Sequence, residues 1–461
     1  MKGYTPTIGL EIHAELRTKT KMFCSSKNDT DETKPNTNVC PICMGYPGTL
    51  PTINEEAVRQ VLRFGVAVDG KIANYTEFDR KNYFYPDIPK GYQISQYKFP
   101  LVSGGELAGV KITRVHLEED TAKSTHDKGE DSLVDFNRAG VPLMELVTEP
   151  VIHDAETASK FAKEFQLLLI YLGASHANME KGEMRVEANI SVSKDDKFGT
   201  KVEVKNLNSF KAVEKAIKYE VARHIELLEK GEKIVQETRG WDETKEETFS
   251  QRSKEDSHDY RYFPEPDLPK LFINEIKDFN LETLKASLPE LPNDKRNRYK
   301  KDFGIKDGDI EIYVQDLEKG TYFEKVVSVL GDTKLVNLAS NYLLTDMSSL
   351  SVDPMNFAKL INMINAGELS SRGAKDTLKI MLSKDGDPKK IAEENNLIQS
   401  SDSEHLYEIA KKIISENPKA VEEYKKGKEA SMQFLVGQGM KETKGSANPE
   451  VLKASLLRAL S

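Results

Sequence analysis

Two carboxylates and one imidazole alternate with apolar residues in the N-terminal segment 8–16. If this segment is a β-strand, Glu11, His13 and Glu15 share one face, because successive side chains of a strand point to opposite faces. The opposite face is wholly apolar. Clustered carboxylate oxygens are the ligands that a hard divalent cation prefers in proteins. The segment therefore predicts a strand that buries one face and can hold a metal ion with the other.

Three later segments repeat this arrangement. The charged or polar faces are Arg114, His116 and Glu118 in residues 110–120, Arg185, Glu187, Asn189 and Ser191 in residues 184–192, and Lys201, Glu203 and Lys205 in residues 201–205. Residues 110–120 are irregular, because Val110 and Ile112 share the parity of Arg114. Four such strands indicate an antiparallel sheet with one face in the core and one face available for chemistry. A solvated sheet face with unrelated charges is the alternative interpretation.

The composition restricts the class of protein. A chain of 461 residues is too long for one hydrophobic core, so two or three domains are expected. The net charge of −9 means that any RNA partner must be held by a local basic patch, and it does not favour DNA binding. No apolar run is long enough to span a membrane, and no signal peptide precedes the first segments. Three cysteines indicate a reduced, cytoplasmic protein rather than a disulfide framework.

The chain changes character after Pro292. Residues 1–292 mix strand and helix patterns, with helices expected to begin at Asn54, at Asp154 and near residues 208–209. The rest follows the helical period, and the break at residues 350–354 divides it into a helical part, 293–350, and a tail, 355–461. The expected fold class is α+β, with a mostly antiparallel sheet followed by helical domains.

Cys40 and Cys43 form a C-x-x-C motif, and Cys24 lies upstream. A structural zinc site requires four ligands, so three cysteines cannot complete an all-cysteine site. A catalytic redox motif would place the pair at a helix N-terminus, which the Pro- and Gly-rich flank disfavours. Weak zinc binding by the three cysteines is the remaining metal hypothesis.

Residues 79–96 combine aromatic side chains with Arg, Lys and Asn in a turn-rich stretch. Stacking faces beside cations are typical of sites for a single-stranded nucleotide end, although tyrosines that pack the base of their own loop would give the same composition. A second basic region lies near the C-terminus and contains Lys425, Lys428, Lys441 and Lys444. No P-loop, dinucleotide-binding glycine motif or G-x-S-x-G motif occurs, so any ATP would depend on a carboxylate-bound Mg²⁺ and separate cations.

Together these segments resemble the GatB family, the B subunits of the bacterial glutamyl/aspartyl-tRNA amidotransferases. The resemblance is carried by residues 8–13, 47–51, 79–96, 116–120, 135–143, 205–209, 260–267 and 437–449. It extends from end to end, and the block 79–96 is long enough to be specific, whereas Glu-x-His alone is not.

The resemblance implies a cradle-like catalytic domain, a helical domain and a helical tail that contacts tRNA. It also implies a carbon–nitrogen ligase that amidates Glu-tRNA(Gln) and/or Asp-tRNA(Asn). The side-chain carboxylate is phosphorylated by ATP, and ammonia then displaces phosphate. The glutaminase subunit of these enzymes supplies the ammonia, and a small third subunit completes a heterotrimer. Lys425, Lys428, Lys441 and Lys444 become candidate tRNA contacts of the tail.

The resemblance further implies roles for individual residues. The Mg²⁺ ligands would be Glu11, His13, Glu118 and Glu119, with Glu149 and Glu187 as weaker catalytic candidates. Candidate contacts to ATP or the tRNA acceptor end are Lys81, Asn82, Tyr83, Tyr85, Tyr92, Gln93, Ser95, Arg114, Lys123 and Lys205. Zinc-bearing relatives have a cysteine where this chain has Ser26, so we expect zinc to bind Cys24, Cys40 and Cys43 weakly or not at all.

Two other functions fit parts of the pattern. An archaeal-type paralogue specific for Glu-tRNA(Gln) would carry a large domain inserted before the helical region, but only about twenty-five residues separate Pro266 from Pro292. A non-catalytic tRNA-binding module would use the charged sheet as an RNA platform, which requires net positive charge. The acidic cluster favours a metal site instead; it comprises Glu11, Glu15, Glu118 and Glu119.

Overall fold

The computed structural model describes residues 3–125, 131–195, 197–253, 260–399, 403–443 and 447–460. The chain forms two compact units, residues 1–292 and 293–461. Each unit has its own hydrophobic core.

The first unit is built on one large sheet. In chain order its strands are β1 (Thr5–Glu15), β2 (Lys71–Ile72), β3 (Tyr75–Thr76), β4 (Asp79–Asn82), β5 (Tyr92–Ser95), β6 (Val102–Ser103), β7 (Glu106–Leu107), β8 (Val110–Glu119), β9 (Lys123–Thr125), β10 (Leu133–Asp135), β11 (Pro142–Thr148), β12 (Met184–Ser193), β13 (Val202–Leu207), β14 (Glu237–Asp242), β15 (Glu247–Ser253), β16 (Phe263–Pro264) and β17 (Leu271–Phe272). The large sheet has the order β15-β14-β13-β12-β1-β11-β8-β6-β2, with β7 beside β8. Its described pairs are antiparallel except β13 with β14. Smaller sheets are β16-β4-β5, β17-β3 and β10-β9.

A bulge in the pairing of β8 with β11 explains the irregular pattern of residues 110–120. Val147 pairs with Arg114, but the next residue, Thr148, pairs with Ile112, so one residue of β8 is skipped. The skipped residue reverses the parity of the strand. Val110 and Ile112 are therefore buried together with Val115, while the polar side chains beyond the bulge keep the opposite face.

Helices cover the apolar face of this sheet. They are α1 (Glu55–Ala67), α2 (Ala155–Tyr171), α3 (Phe210–Glu229) and α4 (Leu281–Ala286). Asn54, Asp154 and Ser209 cap the first three, each by accepting a hydrogen bond from a backbone N–H of the first turn, which confirms the predicted helix starts. Their apolar sides and the inward residues of β1 and β12 form one core. This leaves the charged face of the sheet free for a site.

Glu220 of α3 is a fully buried charge that joins the helix to the edge of the sheet. Its Oε2 accepts a hydrogen bond from Thr248 of β15 (2.7 Å), and Nε2 of His224 lies 3.1 Å from its Oε1. Arg223 also contacts this carboxylate. Burial favours the neutral form, but the nearby His224 ring, together with Arg223 and the Thr248 hydroxyl, outweighs it and lowers the pKa of Glu220 to about 2.

The second unit is helical. Its helices are α5 (Pro292–Arg298), α6 (Asp307–Gln315), α7 (Leu317–Leu330), α8 (Thr333–Thr345), α9 (Pro354–Asn365), α10 (Ser371–Ser383), α11 (Pro388–Glu394), α12 (Ser403–Glu416), α13 (Pro418–Lys425), α14 (Glu429–Glu442) and α15 (Pro449–Leu460). The predicted fold class, an antiparallel sheet followed by helices, is confirmed. Within the described residues, no helix is both long and apolar enough to cross a membrane.

The second unit contains more than one packing layer. The ring of Phe357 in α9 lies 6.2 Å from the ring of Tyr322 in α7, so packing crosses the break predicted at residues 350–354. A separate apolar cluster joins α12, α14 and α15 through Leu406, Leu435 and Leu452. The division into parts 293–350 and 355–461 stays a prediction.

Candidate active site

A cavity of about 740 Å³ lies over the charged face of the large sheet. Among the residues proposed from sequence, it is lined by Glu11, His13, Lys81, Tyr83, Tyr85, Gln93, Arg114, Glu118, Glu187 and Lys205. These side chains come from β1, β4, β5, β8, β12, β13 and the loop after β4. The fold therefore gathers residues that are nearly two hundred positions apart in sequence into one site.

Strand register produces a row of four polar side chains across the floor. His13 of β1 pairs with Arg185 of β12 on one side and with Glu145 of β11 on the other. Glu145 in turn pairs with His116 of β8. Directly opposed residues on one face of a sheet have Cβ atoms about 5 Å apart, so their side chains are forced into contact.

Glu145 is the centre of this row. Its Oε2 lies 3.4 Å from Nε2 of His13 and 3.2 Å from Nε2 of His116, and its Oε1 lies 3.7 Å from Arg114. Burial alone would raise its pKa, but the charge and hydrogen bond of His116, followed by those of His13, hold it well below the usual range. Glu145 was not among the residues proposed from sequence. The available signal was a single Glu within the otherwise apolar segment 142–147, since a buried carboxylate requires partners.

The pKa of His13 is shifted in the opposite direction to that of Glu145. Burial favours its neutral form, but the hydrogen bond and charge of Glu145, with the charges of Glu118 and Glu11, raise the pKa of His13 to about 9. The ring is therefore mostly protonated at neutral pH while no cation occupies its neighbours.

Three carboxylates form a second group on the same face. Oxygen atoms of Glu11, Glu187 and Glu203 lie within 4.8 Å of one another. The ammonium of Lys205 is 2.8 Å from Glu187 and 3.8 Å from Glu203. Burial, then the charge of Glu145, raises the pKa of Glu11. Three carboxylates whose oxygens lie this close together are a donor set that fits Mg²⁺.

Glu118 offers a second indication of a cation. Its Oε1 accepts a hydrogen bond from Nε2 of Gln93 (3.1 Å), and Lys81 lies 3.6 Å from its Oε2. That Oε2 is buried and accepts no hydrogen bond from the described part of the chain. Because buried polar atoms normally have a partner, this atom is suited to a ligand.

Aromatic side chains form the wall above these groups. The ring of Tyr97 stacks on that of Tyr262 with centroids 4.4 Å apart, and Tyr83 contacts both Tyr85 and Tyr260. Lys81 lies 5.3 Å from the ring centre of Tyr260. The wall therefore presents stacking faces beside a cation.

Two contacts hold the segment that carries Tyr260 and Tyr262. Arg80 donates two hydrogen bonds to Glu265, at 2.7 and 2.8 Å. Asn82 donates to the backbone carbonyls of Tyr260 and Arg261. Asn82 thus supports the wall from outside the cavity rather than lining it. The segment 260–267 belonged to the resemblance, but its tyrosines were not proposed as site residues.

Glu119 does not join the cluster, contrary to its expected role as a Mg²⁺ ligand. It follows Glu118 in the strand and so points to the opposite face, where Lys90 donates to both its oxygens at 2.5 and 2.6 Å. The N–H of Ile94 donates to the same carboxylate at 2.9 Å. This geometry does not support Glu119 as a ligand of an ion held by Glu118.

Four other proposed residues also lie outside the cavity. Glu149 accepts a hydrogen bond from Thr113 (2.8 Å) beyond the end of β11, and Lys123 is exposed on β9. Tyr92 packs under Arg80, whose guanidinium is 4.3 Å from the ring centre, and Ser95 is buried in β5. The structure does not support direct substrate contacts for these four.

The proposed tail lysines lie in the second unit. Lys425 ends α13, Lys428 lies 2.9 Å from Glu423, and Lys441 is in the last turn of α14. Lys444 lies outside the described residues. Their role as tRNA contacts stays a prediction.

The three cysteines lie together on the far side of β8 from the cavity. Their Sγ atoms are within 4.8 Å of one another, and those of Cys40 and Cys43 are 3.8 Å apart. Sulfur atoms about 2.3 Å from a tetrahedral zinc would be separated by about 3.8 Å, so the thiols fit part of a zinc shell. Ser26 Oγ is 3.9 Å from Cys43 Sγ, near the fourth position. A hydrogen bond from Cys24, assisted by the charge of Lys21, lowers the pKa of Cys43 to about 4 despite burial.

Comparison with known proteins gives the family. Residues 6–277 match the GatB/GatE catalytic domain, and residues 321–460 match the GatB domain. The chain belongs to the GatB family. It is 44% identical to the B subunit of the aspartyl/glutamyl-tRNA(Asn/Gln) amidotransferase of Crocosphaera subtropica, with 97% of this chain and 96% of that protein aligned. Identity to the corresponding B subunit of Thermoanaerobacter pseudethanolicus is also 44%, with 99% of each chain aligned. The chain is 42% identical to the corresponding B subunit of Carboxydothermus hydrogenoformans, with 99% of this chain and 98% of that protein aligned. The resemblance found in the motifs is confirmed across the length of these GatB relatives.

Proposed function

We propose that this GatB-family chain catalyses ATP-dependent amidation of glutamate on tRNA(Gln), of aspartate on tRNA(Asn), or of both. The observation that carries the proposal is the row of Arg185, His13, Glu145 and His116 beside three carboxylates in one cavity. The side-chain carboxylate of the aminoacyl group attacks the γ-phosphorus of ATP and releases ADP. Ammonia then attacks the acyl carbon, phosphate leaves, and the amide forms after loss of a proton.

The cavity supplies what such phosphoryl transfer requires, which is positioning and charge neutralisation. Glu11, Glu187 and Glu203 would hold Mg²⁺, with His13 and Glu118 beside them. When bound, the ion neutralises negative charge on the phosphate oxygens. Lys81, Lys205 and Arg114 also line the cavity and contribute three positive charges. Burial lowers the pKa of Lys81, but the charge of Glu118 outweighs it and keeps the pKa well above the ordinary value.

The aromatic wall fits the end of a tRNA. Tyr85 and Tyr97 line the cavity yet remain half exposed, so their rings are accessible from solvent. Stacking of a base on an aromatic ring contributes about 1–3 kcal/mol and tolerates any base. We therefore assign the acceptor end to this wall and the body of the tRNA to the helical second unit.

Shared lining residues support a path for ammonia from the opposite side of β8. A cavity of about 230 Å³ beside the cysteines is lined by Lys90, Glu119 and Gly140. A small cleft contains the same three residues and also Asp120 and Thr121, which line the main cavity. Ammonia from a glutaminase partner would pass the Lys90–Glu119 ion pair on this path. Assembly with a glutaminase and with a small third protein into a heterotrimer, in the cytoplasm, is part of the proposal and agrees with three free thiols.

The test is amidation of misacylated Glu-tRNA(Gln) and Asp-tRNA(Asn) by the complex assembled with its partner proteins. Product requires ATP, Mg²⁺ and an ammonia source if the proposal is right. Glu118→Gln is expected to abolish product, whereas Glu282→Gln, an exposed change in α4, is a matched control. A chain that binds both tRNAs but forms no amide with either would show a tRNA-binding module. Amidation of Glu-tRNA(Gln) but not of Asp-tRNA(Asn) would favour the archaeal-type specificity for Glu-tRNA(Gln).

A further inference from the structure

Cys40 and Cys43 are placed to form a disulfide. Their Sγ atoms are 3.8 Å apart, and the turn between them is closed by a hydrogen bond from Met44 N–H to the Cys40 carbonyl. A tight turn keeps Cα atoms three residues apart within about 7 Å, inside the range that a disulfide spans. Rotation of the side chains can therefore close the bond without displacing the rest of the fold.

Besides the thiol of Cys24 and the carbonyl of Cys40, three groups that can donate a hydrogen bond lie at the sulfur of Cys43. The N–H of Cys40 donates to it at 3.1 Å, the ammonium of Lys21 lies at 3.8 Å, and the hydroxyl of Ser26 lies at 3.9 Å. Donors and positive charge directed at sulfur stabilise the thiolate, which is the nucleophilic form. Cys43 is therefore the attacking thiol, and Cys40, which is more exposed, is the resolving thiol.

A small oxidant can reach this sulfur. The cavity of about 230 Å³ is lined by Cys43 and Cys24 and opens beside Tyr46 and Gly48. Because Cys43 itself is almost fully buried, the cavity admits a molecule the size of a peroxide more readily than a bulky disulfide. A catalytic redox C-x-x-C motif lies at a helix N-terminus, which the flanking Pro and Gly residues disfavour here. Oxidation of Cys43 by a small oxidant does not require that position.

We propose that Cys40 and Cys43 are a modification site that hydrogen peroxide oxidises reversibly to a disulfide. The thiolate of Cys43 attacks one peroxide oxygen, the O–O bond breaks, and hydroxide leaves, which gives a sulfenic acid. The sulfur of Cys40 then attacks the sulfur of Cys43, and the S–O bond breaks. The proton of Cys40 leaves with that oxygen as water, so two thiols and one peroxide give one disulfide and two waters.

Lys21 makes the oxidised form the less stable one. It is fully buried, and within the described residues its ammonium contacts the Cys43 sulfur and the carbonyl of Phe136 at 3.2 Å. A disulfide sulfur is a poorer acceptor than a thiolate, so oxidation weakens one of the contacts of this buried amine. Weakening the contact of a buried polar group is costly, and the cost favours reduction by thiols.

The experiment treats the purified chain with peroxide, alkylates the remaining thiols and maps the product by peptide mass. We expect the chain to lose the mass of two hydrogen atoms within the peptide that contains residues 40–43 and to regain it with a dithiol. Cys24→Ser is expected to keep the disulfide, whereas Cys40→Ser and Cys43→Ser lose it. Lys21→Met, which keeps the length of the side chain without its charge, is expected to oxidise more slowly.

Each arm has a result that overturns the assignment. A Cys24–Cys43 disulfide in the wild type would show that the wrong pair was chosen. Oxidation of Lys21→Met at the wild-type rate would remove the role of the ammonium. Zinc is measured in the same samples, because a bound ion would occupy these thiols. One equivalent of zinc that survives peroxide and leaves no disulfide overturns the proposal.

Discussion

Replacing Glu145 with Gln is the sharpest test of the charge arrangement in the cavity. The substitution keeps the shape of the side chain but removes the charge that both histidines approach, at 3.4 Å for His13 and 3.2 Å for His116. Both rings approach the same oxygen, Oε2, and an amide oxygen in its place could still accept from both but would carry no full negative charge. We therefore expect the pKa of His13 to fall.

The structure sets the size of this fall. Glu145 supplies the largest of the contributions that raise the pKa of His13 to about 9 against the effect of burial. An opposite charge at this range shifts a pKa by about 1–3 units, which corresponds to about 1–4 kcal/mol. The side chains of His13 and Glu145 are only 14% and 7% exposed, so solvent screens the pair little. A fall within that range is expected, and it would bring the titration of His13 close to neutral pH.

The measurement is an NMR titration of the chain labelled at histidine, with divalent ions removed by a chelator. His153, whose Nδ1 lies 2.8 Å from the Pro6 carbonyl outside the cavity, serves as an internal reference. Glu11→Gln is the matched variant and should move His13 less, because Glu11 lies 4.0 Å away. If Glu145→Gln leaves the His13 titration unchanged while the fold is retained, the reasoning is refuted.

The remaining predictions concern catalysis, stability, tRNA and zinc. Glu118→Gln should abolish ATP-dependent amidation while glutaminase activity of the assembled complex persists, and full amidation at saturating Mg²⁺ would contradict the assignment. Glu220→Gln should lower the free energy of unfolding of the first unit by about 3 kcal/mol at neutral pH. The folded pKa of about 2 lies below the ordinary 4.5, so this contribution is complete above 4.5 and is lost as the pH falls through 2. Urea unfolding of both proteins at neutral and acidic pH checks this, and a difference that persists in acid would exclude the charge as its cause. Deletion from residue 400, which spares the packing of α9 on α7, should weaken tRNA binding and reduce its salt dependence, whereas unchanged affinity would exclude the tail lysines as contacts. Ser26→Cys should convert weak or absent zinc binding into binding that survives a chelator, and equal zinc in both proteins would show that the hydroxyl is an adequate ligand.

Local patterns predicted the elements and faces of the site well. The alternation of residues 8–16 correctly placed Glu11 and His13 on one face of β1, because the period of a strand is set by covalent geometry. The helix caps at Asn54 and Asp154 were also correct, since capping depends on a few adjacent residues. The irregularity of residues 110–120 was visible in sequence, although only the strand pairing identified it as a bulge.

The neighbours of each side chain could not be predicted, because they depend on register between strands that are distant in sequence. Glu145 meets His13 and His116 only through the pairing of β11 with β1 and β8. Glu119 illustrates the converse. It lies beside Glu118 in sequence, yet alternation turns it to the opposite face, where it meets Lys90. A motif transferred as a contiguous block therefore grouped two glutamates that the strand places on opposite faces.

The same register gives two glutamates of one sheet face different properties. Glu145 lies between two imidazoles, which hold its pKa well below the usual range and keep it an anion. Glu11 lies beside Glu187 and Glu203, and burial together with the charge of Glu145 raises its pKa. Pairs of titratable groups whose pKa values are driven apart are characteristic of sites that perform chemistry. Glu145 is thereby suited to orient the histidines, whereas a cation bound beside Glu11 would stabilise a charge that its surroundings disfavour. Strand register, more than residue type, assigns these separate roles.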